Sequence, residues 1–270
     1  MLSYPYFDPN MISIGPLHLR WYGMMYVFGV VSGWLMGRYR ANKPWNKMTP
    51  TKMDDFITWA VVGVVAGGRL GYCMFYNASY YLQKPLKIFA VWEGGMSFHG
   101  GLLGVLFACW LFGRFNNMTF TEVGDFVSPL VPPGLFFGRI GNFINAELWG
   151  RETDGWWGMV FPGAGPMLRH PSQLYEAALE GVLLFIIVWW YSMKPRPRGC
   201  VGAVFLLGYG IFRFTVEFAR EPDAHLGFVA LNWMSMGQIL CLPMIVFGVT
   251  YLWWAYRNEK TNPTIPAEFR

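Results

Sequence analysis

The chain has 270 residues, 54% of them hydrophobic and 14% charged, with a formal net charge of +5. Soluble domains carry about 25% charged residues, so the composition excludes an ordinary soluble enzyme and points to a bundle of membrane spans. The basic balance is no argument for nucleic acid, because the Lys and Arg residues fall in short loops between apolar runs. Aromatics at 19%, with 14 Trp, suit a protein with two membrane–water interfaces. Cys73, Cys109, Cys200 and Cys241 show no CxxC spacing. They therefore imply neither a disulfide framework nor a zinc site and read as small packing residues. The first 20 residues lack the basic n-region and apolar core of a secretory signal, so the first span is expected to stay.

Seven stretches approach the roughly 20 apolar residues needed to cross a bilayer: about 19–37, 56–77, 97–113, 122–138, 173–192, 201–219 and 235–256. The expected fold class is thus all-α and polytopic, with residues 1–270 forming one membrane domain. The first span opens with Trp21-Tyr22-Gly23, which an aromatic belt would also explain. The second holds Gly67-Gly68-Arg69-Leu70-Gly71-Tyr72, an arginine among the small residues that usually mark helix packing. The third opens with Ser97-Phe98-His99-Gly100-Gly101. A lone His at an interface is most often a hydrogen-bonded packing residue. Imidazole is also the side chain whose proton affinity suits base work near neutral pH.

The fourth span contains Pro129, Pro132 and Pro133 and should be kinked or broken. Broken helices at membrane depth survive only where protein or water covers the freed backbone groups. After it comes Gly138-Arg139-Ile140-Gly141-Asn142-Phe143-Ile144-Asn145-Ala146-Glu147-Leu148-Trp149-Gly150. This run packs a guanidinium fork suited to phosphate, two carboxamides and a carboxylate into nine residues. A capped helix end with a snorkelling Arg would explain one such residue, but less readily the whole set. The fifth span begins Arg169-His170-Pro171-Ser172-Gln173-Leu174-Tyr175-Glu176, and Glu180 follows Glu176 by one turn. Both glutamates are candidate partners for Arg139, Arg69 or Arg213. The sixth carries Tyr209, Arg213 and Glu217 at i, i+4 and i+8, on one helix face. Charges inside a span are costly and face a bundle interior or a cavity. A purely structural Arg213–Glu217 pair is the simpler alternative.

Orientation follows from loop charge. Arg38, Arg40, Lys43, Lys47, Lys52, Arg114, Lys194, Arg196, Arg198, Arg257, Lys260 and Arg270 all fall on one side if there are seven spans. That predicts an outer N-terminus, a cytoplasmic C-terminus and outward-facing segments at 78–96, 139–172 and 220–234. Arg69, Arg139 and Arg213 lie near membrane depth, where few carboxylates are in view. A phosphate-bearing lipid would supply the missing negative charge. From the residues alone, the expectation is a lipid-phosphate cavity with a candidate base, open to the outside.

The motifs carry a resemblance as well. The pieces HLRWYGMMY (18–26), GGRLGY (67–72), WEGGMSFHGG (92–101), GRIGNFINAELWG (138–150), RHPSQLYE (169–176), GYGIFRFTVEFAREPD (208–223) and SMGQIL (235–240) resemble the bacterial prolipoprotein diacylglyceryl transferases, in the family's order over almost the whole chain. The resemblance implies a bacterial inner-membrane enzyme acting at the outer leaflet, with no metal or soluble cofactor. It implies transfer of the diacylglyceryl group of phosphatidylglycerol to the lipobox cysteine of a prolipoprotein signal peptide. A thioether forms and glycerol phosphate leaves. The residues it marks are Tyr22, His99, Arg139, Asn142, Glu147, Gly150, Tyr209, Arg213 and Glu217, beside which Asn145 and Arg69 are expected to bind substrate. His99 is the first candidate base, with a carboxylate in a low-dielectric cavity as the alternative. Arg139 and Arg213 are expected to hold phosphate, Asn142 and Tyr22 to orient the headgroup, and Glu147 and Glu217 to position the arginines. A CDP-alcohol-type transferase would need a carboxylate-rich metal site, and no Asp cluster lies inside a span. A secondary transporter fits broken helices and buried charge, though no internal repeat stands out.

Overall fold

The computed structural model describes residues 2–15, 17–222, 227–259, 264–265 and 267–269. Asp223, Lys260 and Arg270, which entered the motif and charge arguments, lie outside the described residues. The chain is mostly helical and divides into two compact units, residues 1–36 with 127–270, and residues 37–126.

The chain opens with a hairpin in which β1 (Asn10–Ile14) pairs antiparallel with β2 (Leu17–Arg20), Ser13 opposite His18. It runs straight into α1 (Trp21–Ala41), whose first turn is tied back by Trp21 N–H donating to Pro9 C=O at 3.1 Å. The unit 37–126 is built on α2 (Pro50–Phe75), α3 (Ala78–Gln83), α4 (Phe98–Phe115) and most of α5 (Phe120–Val127). Pro50 stands in the first turn of α2, where a missing N–H costs nothing, and Thr49 Oγ1 accepts from Lys52 N at 3.2 Å. Ser97 Oγ caps α4 in the same way, accepting from Gly100 N at 3.2 Å. The seam between these helices is made of glycine. A Cβ on Gly67 would lie 2.7 Å from Gly104 Cα, and one on Gly71 would lie 2.8 Å from Gly100 Cα. Backbones this close gain the van der Waals contact that drives helix association in lipid.

In the other unit, a 3₁₀ turn over Ser128–Leu130 leads into α6 (Val131–Ile144). Pro129 lies in the turn, while Pro132 and Pro133 occupy the first turn of α6, before any proline N–H would be needed. The next helical run is α7 (Ser172–Glu176), a π-helical stretch Ala177–Leu183, and α8 (Leu184–Tyr191). Gly181 lets the π stretch close on α6: a Cβ there would sit 2.6 Å from Phe136 Cβ. Next come α9 (Cys200–Val216), a short hairpin of β3 (Phe228–Ala230) and β4 (Met234–Ser235), and α10 (Met236–Glu259). Leu184, Val188 and Val201 form a core patch to which Phe205, Tyr209 and Phe212 add their rings.

Among the described residues, four helical runs are long and apolar enough to cross a membrane: Pro50–Phe75, Phe98–Phe115, Ser172–Tyr191 and Met236–Glu259; Cys200–Val216 is a shorter apolar helix. Their outer faces expose large apolar side chains such as Val62, Leu103, Phe107, Ile186, Val246 and Phe247. Such faces suit lipid and not water. The chain is a multi-pass membrane protein.

Candidate active site

The site starts in the last turns of α6. Arg139 and Asn142 stand three residues apart and so share a face. The helix ends at Ile144, and the chain then takes two left-handed steps without glycine, at Ala146 (φ +52°) and Leu148 (φ +59°). Such backbone strain clusters at functional sites. Its effect here is to fold Glu147 back over the helix end. Glu147 N–H donates to Asn142 C=O at 3.0 Å, and Asn142 Nδ2 donates to Glu147 Oε1 at 2.8 Å. The buried start of α7 holds this turn from the other side. Gln173 Nε2 donates to Glu147 C=O at 2.7 Å, and Ser172 Oγ to Leu148 C=O at 3.1 Å. Gly150 ends the segment in a tight place. Its N–H donates to His170 C=O at 2.9 Å. A Cβ there would lie 2.8 Å from His170 Cβ and collide with Ala219 C=O.

Beside this turn lies a cluster of three arginines and three glutamates. Glu176 is fully buried and gathers all three cations: its Oε2 lies 2.6 Å from Arg139 Nε and 2.9 Å from Arg213 Nη1, and its Oε1 lies 3.0 Å from Arg220 Nη1. Glu217 pairs with Arg213 Nη2, lies 3.7 Å from Arg220 Nε, and accepts from Ser235 Oγ at 2.6 Å. Gly237 leaves room for that carboxylate, since a Cβ would sit 2.7 Å from its Cδ. Glu180 is also fully buried, 3.8 Å from Arg139 Nη2 and 3.8 Å from Arg213 Nη1, and neither of its oxygens has a hydrogen-bond partner among the described residues. The expected shortage of carboxylates at this depth is therefore corrected. Glu176, at the end of α7, and Glu180, in the π stretch that follows, both reach Arg139 of α6 and Arg213 of α9. Arg220, read from the sequence only as the start of an outer segment, completes the cluster. It follows Glu217 by three residues, and that spacing is the signal that could have found it.

The cluster is held firmly but is not closed. Arg139 commits Nε to Glu176, while among the described residues its terminal nitrogens make only long contacts, 3.5 Å to Asn142 Oδ1 and 3.8 Å to Glu180. The Arg139 side chain is 20% exposed. A guanidinium fork left in that state suits an anionic oxygen pair.

Tyr22 packs its ring over the signature helix, 3.1 Å from where a Cβ on Gly141 would be, and shares a hydrogen bond with the Tyr26 hydroxyl at 3.1 Å. Tyr22 and Asn145 both line an open cleft of about 650 Å³. Tyr209 lies one turn before Arg213 on α9, its ring stacked on Phe205. His99 and Arg69 belong to the other unit. His99 is exposed in the first turn of α4. Arg69 is buried, and its guanidinium is caged by backbone: Nε donates to Ile88 C=O at 2.8 Å, Nη2 to Lys87 C=O at 2.6 Å and Ala90 C=O at 3.0 Å, and Nη1 to Gly94 C=O and to Gly95 C=O at 3.2 Å.

The segment 150–170 braces the ends of the site. Arg151 donates to Arg220 C=O at 2.8 Å and to Glu217 C=O at 3.0 Å. Arg169 donates to Gly150 C=O at 3.1 Å and pairs with Glu221 at 2.9 Å. His170 Nδ1 faces Trp157 Nε1 at 3.4 Å and the Tyr175 hydroxyl at 3.2 Å. Burial first, and the Arg151 charge second, hold the His170 imidazole below its ordinary pKa.

Residues 9–254 match the family model described as prolipoprotein diacylglyceryl transferase. Among curated relatives, the phosphatidylglycerol–prolipoprotein diacylglyceryl transferase of Oleidesulfovibrio alaskensis is 61% identical over 96% of this chain and 97% of its own. The enzyme of that name from Coxiella burnetii is 55% identical over 96% of this chain and 100% of its own. The one from Pseudomonas paraeruginosa is 52% identical over 97% and 99%. The match spans the strained turn at 146–148, the Arg–Glu cluster and the Arg69 cage alike, and the chain belongs to the prolipoprotein diacylglyceryl transferase family.

Proposed function

We propose that this protein transfers the diacylglyceryl group of phosphatidylglycerol to the lipobox cysteine of prolipoproteins, in the bacterial inner membrane. The observation that carries the reading is Arg139, fixed through Nε by buried Glu176 while its terminal nitrogens remain lightly held. In the reaction, the peptide thiol loses its proton and the thiolate attacks the diacylglyceryl carbon attached to the phosphate oxygen. The C–O bond breaks, a C–S bond forms, and the phosphodiester leaves as glycerol phosphate carrying one more negative charge. Arg139 and Arg213 oppose that developing charge, and donors already fixed in place act without reorganising. Glu176 and Glu217 position the guanidiniums, in place of the Glu147 and Glu217 expected from sequence, since the Glu147 carboxylate accepts from Asn142. Asn142, held by Glu147, and Tyr22 orient the headgroup, with Asn145 beside them. Gly150 keeps the turn closed, and Tyr209 supports the α9 face.

His99 remains the proposed base on chemical grounds, as an exposed imidazole at the glycine-rich start of α4. Glu180 is the alternative acceptor, since neither of its oxygens has a hydrogen-bond partner among the described residues. Arg69 is reassigned: its N–H groups are all engaged by carbonyls of residues 87–95, which favours a role in shaping that loop over contact with the headgroup. The proposed topology keeps seven spans in one membrane domain, with the interrupted run 120–144 as the broken span. The N-terminus is then periplasmic, the C-terminus cytoplasmic and the site open to the outer leaflet, as loop charge favours.

The test is turnover in detergent micelles with phosphatidylglycerol and a lipobox peptide bearing one cysteine. The expected result is a peptide heavier by one diacylglyceryl group and an equal amount of glycerol phosphate. A folded protein that yields neither, under conditions where the Oleidesulfovibrio alaskensis enzyme works, refutes the reading. In that case gradient-driven flux in liposomes, the signature of a transporter, is the next measurement.

A further inference from the structure

The three arginines of the cluster, Arg139, Arg213 and Arg220, are balanced by glutamates, but Arg20 is not. It ends β2, is exposed, and has no ion-pair partner among the described residues. It lines the 650 Å³ cleft with Asn10, His18, Tyr22, Gly23 and Asn145, and no carboxylate is among the described lining residues. The nearest acid in sequence, Asp8, is turned to the chain, accepting from Asn10 N–H at 2.8 Å. The ring of His18 is held by Ser13, with Nδ1 at 3.0 Å from its Oγ. The cleft therefore offers one cation without an ion-pair partner among the described residues, two carboxamides, an imidazole and a phenol, all able to donate to an anion. Its volume falls within the about 300–1,000 Å³ typical of small-molecule sites.

The cleft is continuous with the signature segment. Asn145 follows directly on α6, and Tyr22 rests against Gly141 of that helix. We propose that this cleft is a subsite for glycerol phosphate, with Arg20 taking the phosphate and Asn10, Asn145 and His18 taking its remaining oxygens. The inference rests on the transferase reading for the source of the ligand. The reaction turns a singly charged diester into a more highly charged monoester. A charge-balanced Arg–Glu cluster holds the extra charge poorly, while an unneutralised arginine in an open cleft attracts it. The subsite gives the product a place to move to as the next lipid enters.

The same chemistry could arrive as free product or as the headgroup of intact lipid, and two measurements separate them. The first is binding of sn-glycerol 1-phosphate to the purified protein in neutral detergent, followed by ³¹P NMR line broadening, for wild type, Arg20→Gln and Arg20→Lys. Losing one charge-assisted contact should weaken Arg20→Gln by about tenfold, with Arg20→Lys recovering most of it. The second is the KM for phosphatidylglycerol in the same variants. If only product binding weakens, the subsite serves the leaving group; if KM rises in step, it serves the headgroup too. Absence of binding to wild type, or affinity of a folded Arg20→Gln within about twofold of wild type, overturns the proposal. Binding is read without turnover, so the two readings fail separately. A protein that binds glycerol phosphate but transfers nothing loses the transferase reading alone. One that transfers but does not bind it loses the subsite.

Discussion

Replacing Glu176 with Gln keeps the shape of the side chain and removes the one charge shared by Arg139, Arg213 and Arg220. The native carboxylate meets them at 2.6, 2.9 and 3.0 Å and is fully buried. A carboxamide has a single acceptor oxygen, and its NH₂ would point at a guanidinium. Removing one partner from a buried ion pair costs about 3–5 kcal/mol, chiefly because the other charge is left uncompensated. If that loss falls on the placement of Arg139 and Arg213 in the transition state, kcat drops by about a hundred- to several-thousandfold. Part of it will also appear as a lower Tm. The assay is diacylglyceryl transfer to a lipobox peptide in micelles, with thermal unfolding run in parallel. Glu176→Asp keeps the charge one methylene back and should recover part of the activity, which separates charge from mere cavity formation. A folded Glu176→Gln enzyme within about threefold of wild-type kcat would refute the argument that this carboxylate positions the arginines.

Other perturbations follow from single contacts. Gly150→Ala drives a methyl group into Ala219 C=O and to 2.8 Å from His170 Cβ, so it should cost about 1–3 kcal/mol of stability and depress turnover, read by melting and activity together. Arg69→Lys leaves a three-donor ammonium where Arg69 now bonds five carbonyls, so Tm should fall while KM for phosphatidylglycerol stays within about twofold; a KM rise with unchanged Tm would restore Arg69 to the binding site. His99→Gln should abolish most turnover at pH 7, and near-wild-type turnover would pass the base role to a carboxylate such as Glu180. His170 is held below its ordinary pKa by burial and by Arg151, so its neutral form is the one the fold favours. Stability from it is present above about pH 6.5 and is lost as pH falls toward the folded pKa. His170→Gln should flatten that slope in melts taken between pH 7 and pH 5.

Helical spacing made much of the site legible in the sequence. Arg139 with Asn142, Glu176 with Glu180, and Tyr209 with Arg213 and Glu217 are each three or four residues apart, and the structure puts each set on one face. What periodicity could not give is which faces meet. Glu176 was visible only as a possible partner for any of three arginines. Gly181 packs its helical run close against Phe136 of α6, and Glu176 in that run meets Arg139 and Arg213. The turn at Ala146 and Leu148 was hidden because neither residue type announces a left-handed backbone. The cage around Arg69 was hidden because it is made of main-chain carbonyls, which carry no residue signature. The membrane character was plain from composition, whereas the number of crossings was not. The Trp21–Ala41 helix ends in Arg38 and Arg40, the 120–144 run is interrupted, and Cys200–Val216 is short, so among the described residues four runs are long and apolar enough to cross.

In the proposed reaction a thiolate displaces phosphate at carbon. Phosphatidylglycerol carrying ¹⁸O in the oxygen between the diacylglyceryl carbon and phosphorus tests it directly, with a lipobox peptide as acceptor. The expected products are a peptide heavier by one diacylglyceryl group without label, and glycerol phosphate that retains the ¹⁸O in equal yield. Label found in diacylglycerol, or a peptide that gains a single acyl chain, would mean that a different bond is broken and would contradict it.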